Sequence, residues 1–264
     1  MKILIKGAGD LATGIAIRLH NAGYDVLMTE IRVPTTVRRM VAFSRAVYEK
    51  EVVVENVKAV LLENQNIETL QEIGIVPVLV DEKASISTFY KPDIIIDAII
   101  AKINIGTNKT DADLVIGVGP GFLAGIDCHS VIETKRGHDL GRVIWEGSAI
   151  PNTGIPGNIG GFTTERIIRA TCDGEFQPVA EIGETVEKGQ IVAYSGEKPI
   201  YALMNGIIRG MLQSRVFVMD GMKCGDIDSR CEKSHCYTVS DKARAIGGAV
   251  LEVICKYEHS INKI

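Results

Sequence analysis

The densest gathering of reactive side chains lies between residues 117 and 147. Asp127, Cys128, His129, Glu133, Arg136, His138, Asp139 and Arg142 all fall there, directly after the glycine-rich turn Gly117-Val118-Gly119-Pro120-Gly121. Glycine lets backbone N–H groups approach a ligand closely, so a glycine turn beside many ionisable groups suits a ligand-contacting loop. Gly119 and Gly121, anchored by Arg136 and Arg142, are expected to meet an anion or a cofactor. If the segment from 127 runs as a strand, Asp127 and His129 share one face and suit proton transfer. Cys128 would lie on the opposite face and act as a thiolate only if a nearby cation lowered its pKa. These three residues are the catalytic candidates. Several of the group are metal-ligating types, but no metal site is assigned. A salt-bridged connection between strands is the competing reading.

Positioning such a loop takes a sheet. The run Lys2–Lys6 reads as a strand. Gly7-Ala8-Gly9-Asp10-Leu11-Ala12 follows, and then the helical spacing Leu11, Ile15, Ala16, Leu19. This is Gly-x-Gly-x-x-Ala at a strand-to-helix junction. Gly7 permits the turn, Gly9 leaves room for a pyrophosphate at the helix N-terminus, and Ala12 allows close packing. A second strand, Asp25–Thr29, ends at Glu30, where an acid is placed to bond a ribose hydroxyl. Arg32, two residues on, suits adenine or a 2′-phosphate. A helix is expected over Thr35–Tyr48 and another over Ile67–Ile73, with strands at Val52–Val54, Val76–Val80 and Asp93–Ala98, and the apolar run Leu114–Ile116 leads into the glycine turn. Asp97 stands near the end of its strand, with Lys102 and Asn104 following. Such alternation predicts an α/β fold: a Rossmann-like parallel sheet with helices on both faces. The bound group would be NAD(P), another nucleotide or a molybdopterin-type cofactor.

The second half changes character after the loop Pro151–Gly157. Residues Thr163–Ala170 look helical. From Asp173 short strands alternate with regularly placed glycines. The ten residues from Ile182 to Ile191 match those from Val218 to Ile227 without gaps, and Asp173–Phe176 echoes Asn205–Ile208. Two such halves bury a core that neither buries alone. The pattern resembles the barrel-sandwich hybrid of biotinyl and lipoyl carriers. Lys198, however, is flanked by Glu197 and Pro199 rather than by methionines, so a docking or scaffold module is expected instead of a swinging arm. Cys224, Cys231, His235 and Cys236 lack paired Cys-x-x-Cys spacing. Asp241–Cys255 reads as a helix, and Gly247-Gly248 within it suggests tight packing or a ligand's approach. The expected divisions are residues 1–150, a linker and helix over 151–172, the β-rich domain over 173–228 and a helical segment over 229–264.

Composition narrows the classes. The chain has 264 residues, 46% of them hydrophobic, and a formal net charge of −4. That charge argues against a general nucleic-acid binder. No apolar run is long enough to span a bilayer. Six scattered cysteines suit reduced thiols, so a cytoplasmic protein without membrane or nucleic-acid partners is expected, with room for homo-oligomerisation.

Five stretches carry a family resemblance over nearly the whole chain: Lys6–Gly14, Gly119–Asp127, Glu133–Arg142, Gly225–Asp228 and Ser240–Gly248. They resemble the YqeB family, named as a selenium-dependent molybdenum hydroxylase system protein. Ser229 departs from the proline expected after the fourth stretch. The resemblance implies an accessory role in maturing those hydroxylases, with the hydroxylase as partner. The N-terminal turn is also similar to that of the XdhC maturation proteins, which load sulfur onto the molybdenum cofactor. By that analogy Cys128 is the thiol to test as a sulfur or selenium carrier. An NAD(P)-dependent oxidoreductase and a non-catalytic scaffold with a vestigial nucleotide site are the alternatives.

Overall fold

The computed structural model describes residues 1–63 and 74–262. The expected helix Ile67–Ile73 lies outside them. The chain divides into two compact units, neither continuous in sequence. Unit 1 comprises Met1–Arg32, Phe43–Thr153 and Val239–Ile264; unit 2 comprises Val33–Ala42 and Gly154–Thr238. The expected divisions are consecutive segments. Instead, a ten-residue excursion after Arg32 belongs to unit 2, and the C-terminal helix belongs to unit 1.

Unit 1 is built on a nine-stranded sheet. Its strands are β1 (Lys2–Lys6), β2 (Asp25–Glu30), β3 (Glu51–Val54), β4 (Val57–Leu62), β5 (Ile75–Val80), β6 (Ile94–Asp97), β7 (Leu114–Val118), β8 (Ser130–Ile132) and β9 (Val143–Ile144). They lie in the order β3-β4-β5-β2-β1-β6-β7-β8-β9. The run from β4 to β8 is parallel, while the two edges, β3 on β4 and β9 on β8, are antiparallel. The central strands β6 and β7 are buried along their whole length, which is why they read as unbroken apolar runs rather than as alternation.

The expected fold, a Rossmann-like parallel sheet with helices on both faces plus a barrel-sandwich hybrid, is corrected here. The large sheet is mixed. Among the described residues only two helices exceed one turn: α1 (Asp10–Asn21) and the C-terminal helix Asp241–Ile261. The others, α2 (Ala46–Glu49) and α3 (Ser87–Tyr90), are single turns. The connections from β6 to β7 and from β7 to β8 carry no helix. The C-terminal helix is α4.

Unit 2 consists of two four-stranded antiparallel sheets. One holds β10 (Ile167–Arg169), β17 (Lys223–Asp228), β15 (Gly206–Met211) and β12 (Thr185–Val186), in that order. The other holds β14 (Lys198–Tyr201), β13 (Ile191–Ser195), β11 (Gly174–Pro178) and β16 (Phe217–Val218). Phe176, Val192, Ile208, Leu212 and Val218 are fully buried in the core of this unit.

Two expected helices are absent. Over Thr35–Tyr48 there are only short 3-10 turns and α2. The backbone groups there are claimed by distant partners: Val37 O accepts from Met211 N–H, Phe43 N–H donates to Thr13 Oγ1, and Ser44 N–H donates to Ala8 O. Thr163–Ala170 instead supplies β10, where the β-branched pair Ile167-Ile168 aligns with Asp226 and Gly225 of β17.

Helices α1 and α4 cross through small residues. A Cβ at Gly14 would stand 2.7 Å from Ala243 Cβ, and one at Gly247 would stand 3.0 Å from Gly14 O. Helix α4 starts where Ser240 Oγ accepts from Ala243 N–H. Gly248, by contrast, has nothing within reach of an added Cβ. Gly14→Val is therefore expected to destabilise the protein by about 1–3 kcal/mol through overpacking. Gly248→Ala is expected to stabilise it by about 0.5–1 kcal/mol by restricting a helical backbone where an added methyl meets nothing. Denaturant titration of both variants checks the pair; equal effects would contradict the crossing.

Candidate functional site

The turn at Gly7 follows the C-terminal end of β1, Asp97 ends β6, and the turn with Gly119 and Gly121 follows β7. Gly7 adopts φ +91°, and an added Cβ would meet Ala98 O and Ile99 Cα at 3.1 Å. Gly119 (φ +87°) lies against Thr134 Oγ1, and its N–H donates to Ile132 O. Gly121 (φ +111°) lies against the Ile103 backbone, 2.6 Å from where a Cβ would sit. In each case glycine admits another part of the same chain.

Carboxyl groups occupy the amides that a ligand would use. Glu30 accepts from Ala8 N–H at 2.9 Å and from Ile31 N–H at 2.8 Å. Burial pushes the Glu30 carboxyl above its ordinary value, outweighing both hydrogen bonds. Ionising it therefore costs stability, which falls as pH rises from the usual carboxylate range through the raised value. Glu133 is buried and accepts from Lys135 N–H and Ile150 N–H, each at 2.7 Å. Arg32 is exposed, and Asp10 forms the first turn of α1. Gly9 is the helix N-cap with φ −67°, and Ala12 is fully buried. Arg136 is engaged bidentately by Asp241 at 2.7 and 3.0 Å. Arg142 pairs with Asp139 at 3.5 Å. As they stand, these residues do not fit the pyrophosphate of a nucleotide or of a molybdopterin-type cofactor.

The three catalytic candidates do not converge. Residues 125–127 form a turn rather than a strand, and β8 begins only at Ser130. Asp127 Oδ2 accepts from Leu123 N–H at 2.8 Å and so closes that turn. His129 Nδ1 accepts from Val115 N–H at 3.0 Å, which fixes the ring proton on Nε2. Burial, with the Lys109 charge nearby, holds its pKa below the usual histidine value. Cys128 is 0% exposed in the apolar cluster with Phe122, Ala124 and Val131. Burial pushes its thiol up to about 11, the opposite of what a sulfur or selenium carrier needs. Among the described residues no three His, Cys, Asp or Glu side chains are grouped to hold a metal ion.

What the ends of β1 and β6 do contain is a buried polar relay. Lys6 Nζ donates to Thr107 Oγ1 at 2.6 Å, and Thr107 Oγ1 donates to Asp97 Oδ2 at 2.6 Å. Lys6 Nζ stands 3.8 Å from the same carboxylate oxygen. Asp97 and Thr107 are each 1% exposed. Asn104 sets Thr107 in place, its Oδ1 accepting from Gly106 and Thr107 N–H and its Nδ2 donating to Thr107 O. The intervening loop holds Ile100 at φ +62° and Lys102 at φ +67°. A β-branched residue in the left-handed region is strained, and such strain persists where surrounding structure enforces it. Asp97 was legible as a strand-end acid. Thr107 was not, because it sits in a loop without periodicity.

Both loops expose large apolar side chains: Ile103 (65%) and Ile105 (55%) after β6, and Leu123 (38%) and Ile126 (69%) after β7. The loops adjoin: Gly121 rests on the Ile103 backbone, and Lys109 Nζ donates to Gly125 O at 3.5 Å.

No family model matches the chain. It is 47% identical over 258 residues to the protein described as "Uncharacterized protein YqeB" from Escherichia coli (strain K12), a match covering 97% of this chain and 48% of that protein. The chain spans about half the length of the curated relative it matches. Three solved structures are distantly similar. An aspartoacylase family protein from Mesorhizobium loti is 12% identical, covering 86% of this chain and 84% of its own, with a TM-score of 0.27. A succinylglutamate desuccinylase from Silicibacter is 10% identical with the same coverage and a TM-score of 0.25. The product-bound ectoine utilization protein EutE (DoeB) from Ruegeria pomeroyi is 16% identical over 32% of this chain and 27% of its own, with a TM-score of 0.22. Similarities this weak carry no argument about fold or chemistry. No helix among the described residues is long and apolar enough to cross a membrane.

Thiol reactivity separates buried from accessible cysteines. Cys231 and Cys255 are exposed, while Cys128 and Cys224 are buried with thiols pushed up to about 11. Alkylation of the native protein at pH 8, read by peptide mass spectrometry, is expected to label Cys231 and Cys255 and to spare Cys128 and Cys224 until denaturant is added. Rapid labelling of native Cys128 would contradict its placement.

Proposed function

We propose that the chain is an accessory protein in the maturation of selenium-dependent molybdenum hydroxylases, and that it acts by docking the hydroxylase polypeptide. Homology to YqeB supports the family part of this reading. The role itself is what the sequence resemblance implies.

The observation behind the docking is that Ile103 and Ile105 are exposed on the loop after β6, whose backbone at Ile103 meets Gly121 of the loop that carries the exposed Leu123 and Ile126. Large aliphatics exposed in a group cost free energy in water and mark sites of protein association. The relay of Lys6, Thr107 and Asp97 stiffens the base of the first loop, so the apolar side chains are presented with little ordering cost on binding. The burial of Cys128 and the capture of His129 Nδ1 by a backbone amide favour docking over turnover at that segment.

The test is complementation. Deleting the gene in its host is expected to abolish selenium-dependent hydroxylase activity while the hydroxylase polypeptide persists. Wild type is expected to restore activity, and the double variant Ile103→Asp, Ile126→Asp, with an unchanged circular dichroism spectrum, is expected to restore less than about a tenth of it, the loss of one hot-spot cluster. Undiminished activity in the deletion strain would overturn the role. Full rescue by the double variant would overturn the docking face.

A further inference from the structure

Unit 2 buries more guanidinium than its carboxylates can satisfy. Arg209 lies on β15, Asp226 and Asp228 on β17, and Arg166 just before β10. Arg166 Nη1 bonds Asp226 Oδ1. Arg230 closes a fork on Asp228, with Nε to Oδ1 at 2.9 Å and Nη2 to Oδ2 at 2.6 Å, and its backbone N–H adds a third bond at 3.0 Å. Arg209 is left with the remainder. Its Nη1 is 3.7 Å from Asp226 Oδ2 and its Nε is 3.7 Å from Asp228 Oδ2, both beyond hydrogen-bond reach. The Arg209 side chain is only 6% exposed, and its Nε has no hydrogen-bond partner.

The backbone explains how it got there. Pairing of β15 with β17 runs Ile208 to Ile227 and then Gly210 to Asp226, so Arg209 is the extra residue of a β-bulge. Bulges re-aim side chains, and they are found beside functional sites. Arg38 stands near, its Nη2 donating to His235 O and Thr238 O. Burial first, and the Arg38 charge second, pull the Arg209 pKa below its ordinary value. A purely structural ion network would place each buried guanidinium in hydrogen-bond contact with a carboxylate, because a buried charge without its bonds is costly. Arg209 instead has both carboxylates only at 3.7 Å, and no hydrogen bond at its buried Nε.

We propose that this cluster binds a tetrahedral oxyanion: free phosphate or the phosphate end of a monoester. Such a group carries close to two negative charges and several acceptor oxygens, and the planar guanidinium fork matches it. Arg209 is the central ligand, with Arg38 and Arg230 flanking it. Arg230, whose side chain is 44% exposed, opens the cluster to solvent. This assignment is independent of the docking role proposed for unit 1.

Isothermal titration of the full chain with inorganic phosphate, glycerol 3-phosphate and acetate, at constant ionic strength in chloride, tests it. Saturable binding of phosphate or of the ester is expected, with acetate at least about tenfold weaker and Arg209→Gln lowering affinity at least about tenfold, as for loss of a charged hydrogen bond. Phosphate alone would identify the free ion; the ester as tight or tighter would identify a phosphorylated small molecule. No saturable binding of either by wild type, equal binding of acetate, or unchanged affinity in Arg209→Gln would overturn the proposal. If Arg209→Gln does not fold, Arg209→Lys keeps the charge and loses the fork, and unchanged affinity there has the same force.

Discussion

The structure of unit 1 depends on carboxyl groups that turn inward to hold backbone amides. Glu30 ties Ala8 to Ile31, joining the first glycine loop to the end of β2. Glu133 ties Lys135 to Ile150, fastening a long surface excursion to β8. Asp81 holds Ile86 N–H, Asp93 holds Lys2 N–H, and Glu55 holds Val239 N–H at the entry to α4. With only two long helices among the described residues, the loops need fixed partners for their polar backbone groups, since each one buried unpaired costs on the order of 1–3 kcal/mol. Acidic side chains supply them.

This constraint changes what the glycines mean. A positive φ and a missing Cβ open space beside the backbone, but the space is filled from within. Ala98 and Ile99 fill it at Gly7, Thr134 at Gly119 and Ile103 at Gly121. The resulting edge buries Asp97 and Thr107 and leaves Ile103 and Ile105 exposed. In unit 2 the same need for paired charge is only partly met, and Arg209 shows where it stops.

Much of the fold was legible, and the reasons for the rest are physical. Helix α1 follows from the spacing of Leu11, Ile15, Ala16 and Leu19, all buried, and α4 from Ser240 and the apolar positions after it. The excursion over Val33–Ala42 was not legible, because Val37 O accepts from Met211 N–H, a partner far along the chain. Nor was β10, whose Ile167-Ile168 has no local preference strong enough to outvote its neighbours. The glycine loops were legible, but a sequence signals only that a backbone can be approached closely; that Ala98, Thr134 and Ile103 of the same chain approach it is visible only in the structure. Asp127 and His129 lie in the turn and bend before β8 rather than along a strand, so alternation could not aim them.

Amide hydrogen exchange tests the inward carboxyl clamps most directly. The N–H groups of Ala8 and Ile150, both in loops, are expected to exchange as slowly as Ile5 in the middle of β1, and Glu30→Ala is expected to release Ala8 while leaving Ile150 protected. Fast exchange of both amides in the wild-type protein would mean that the glycine loops are open to solvent, and would contradict the clamps.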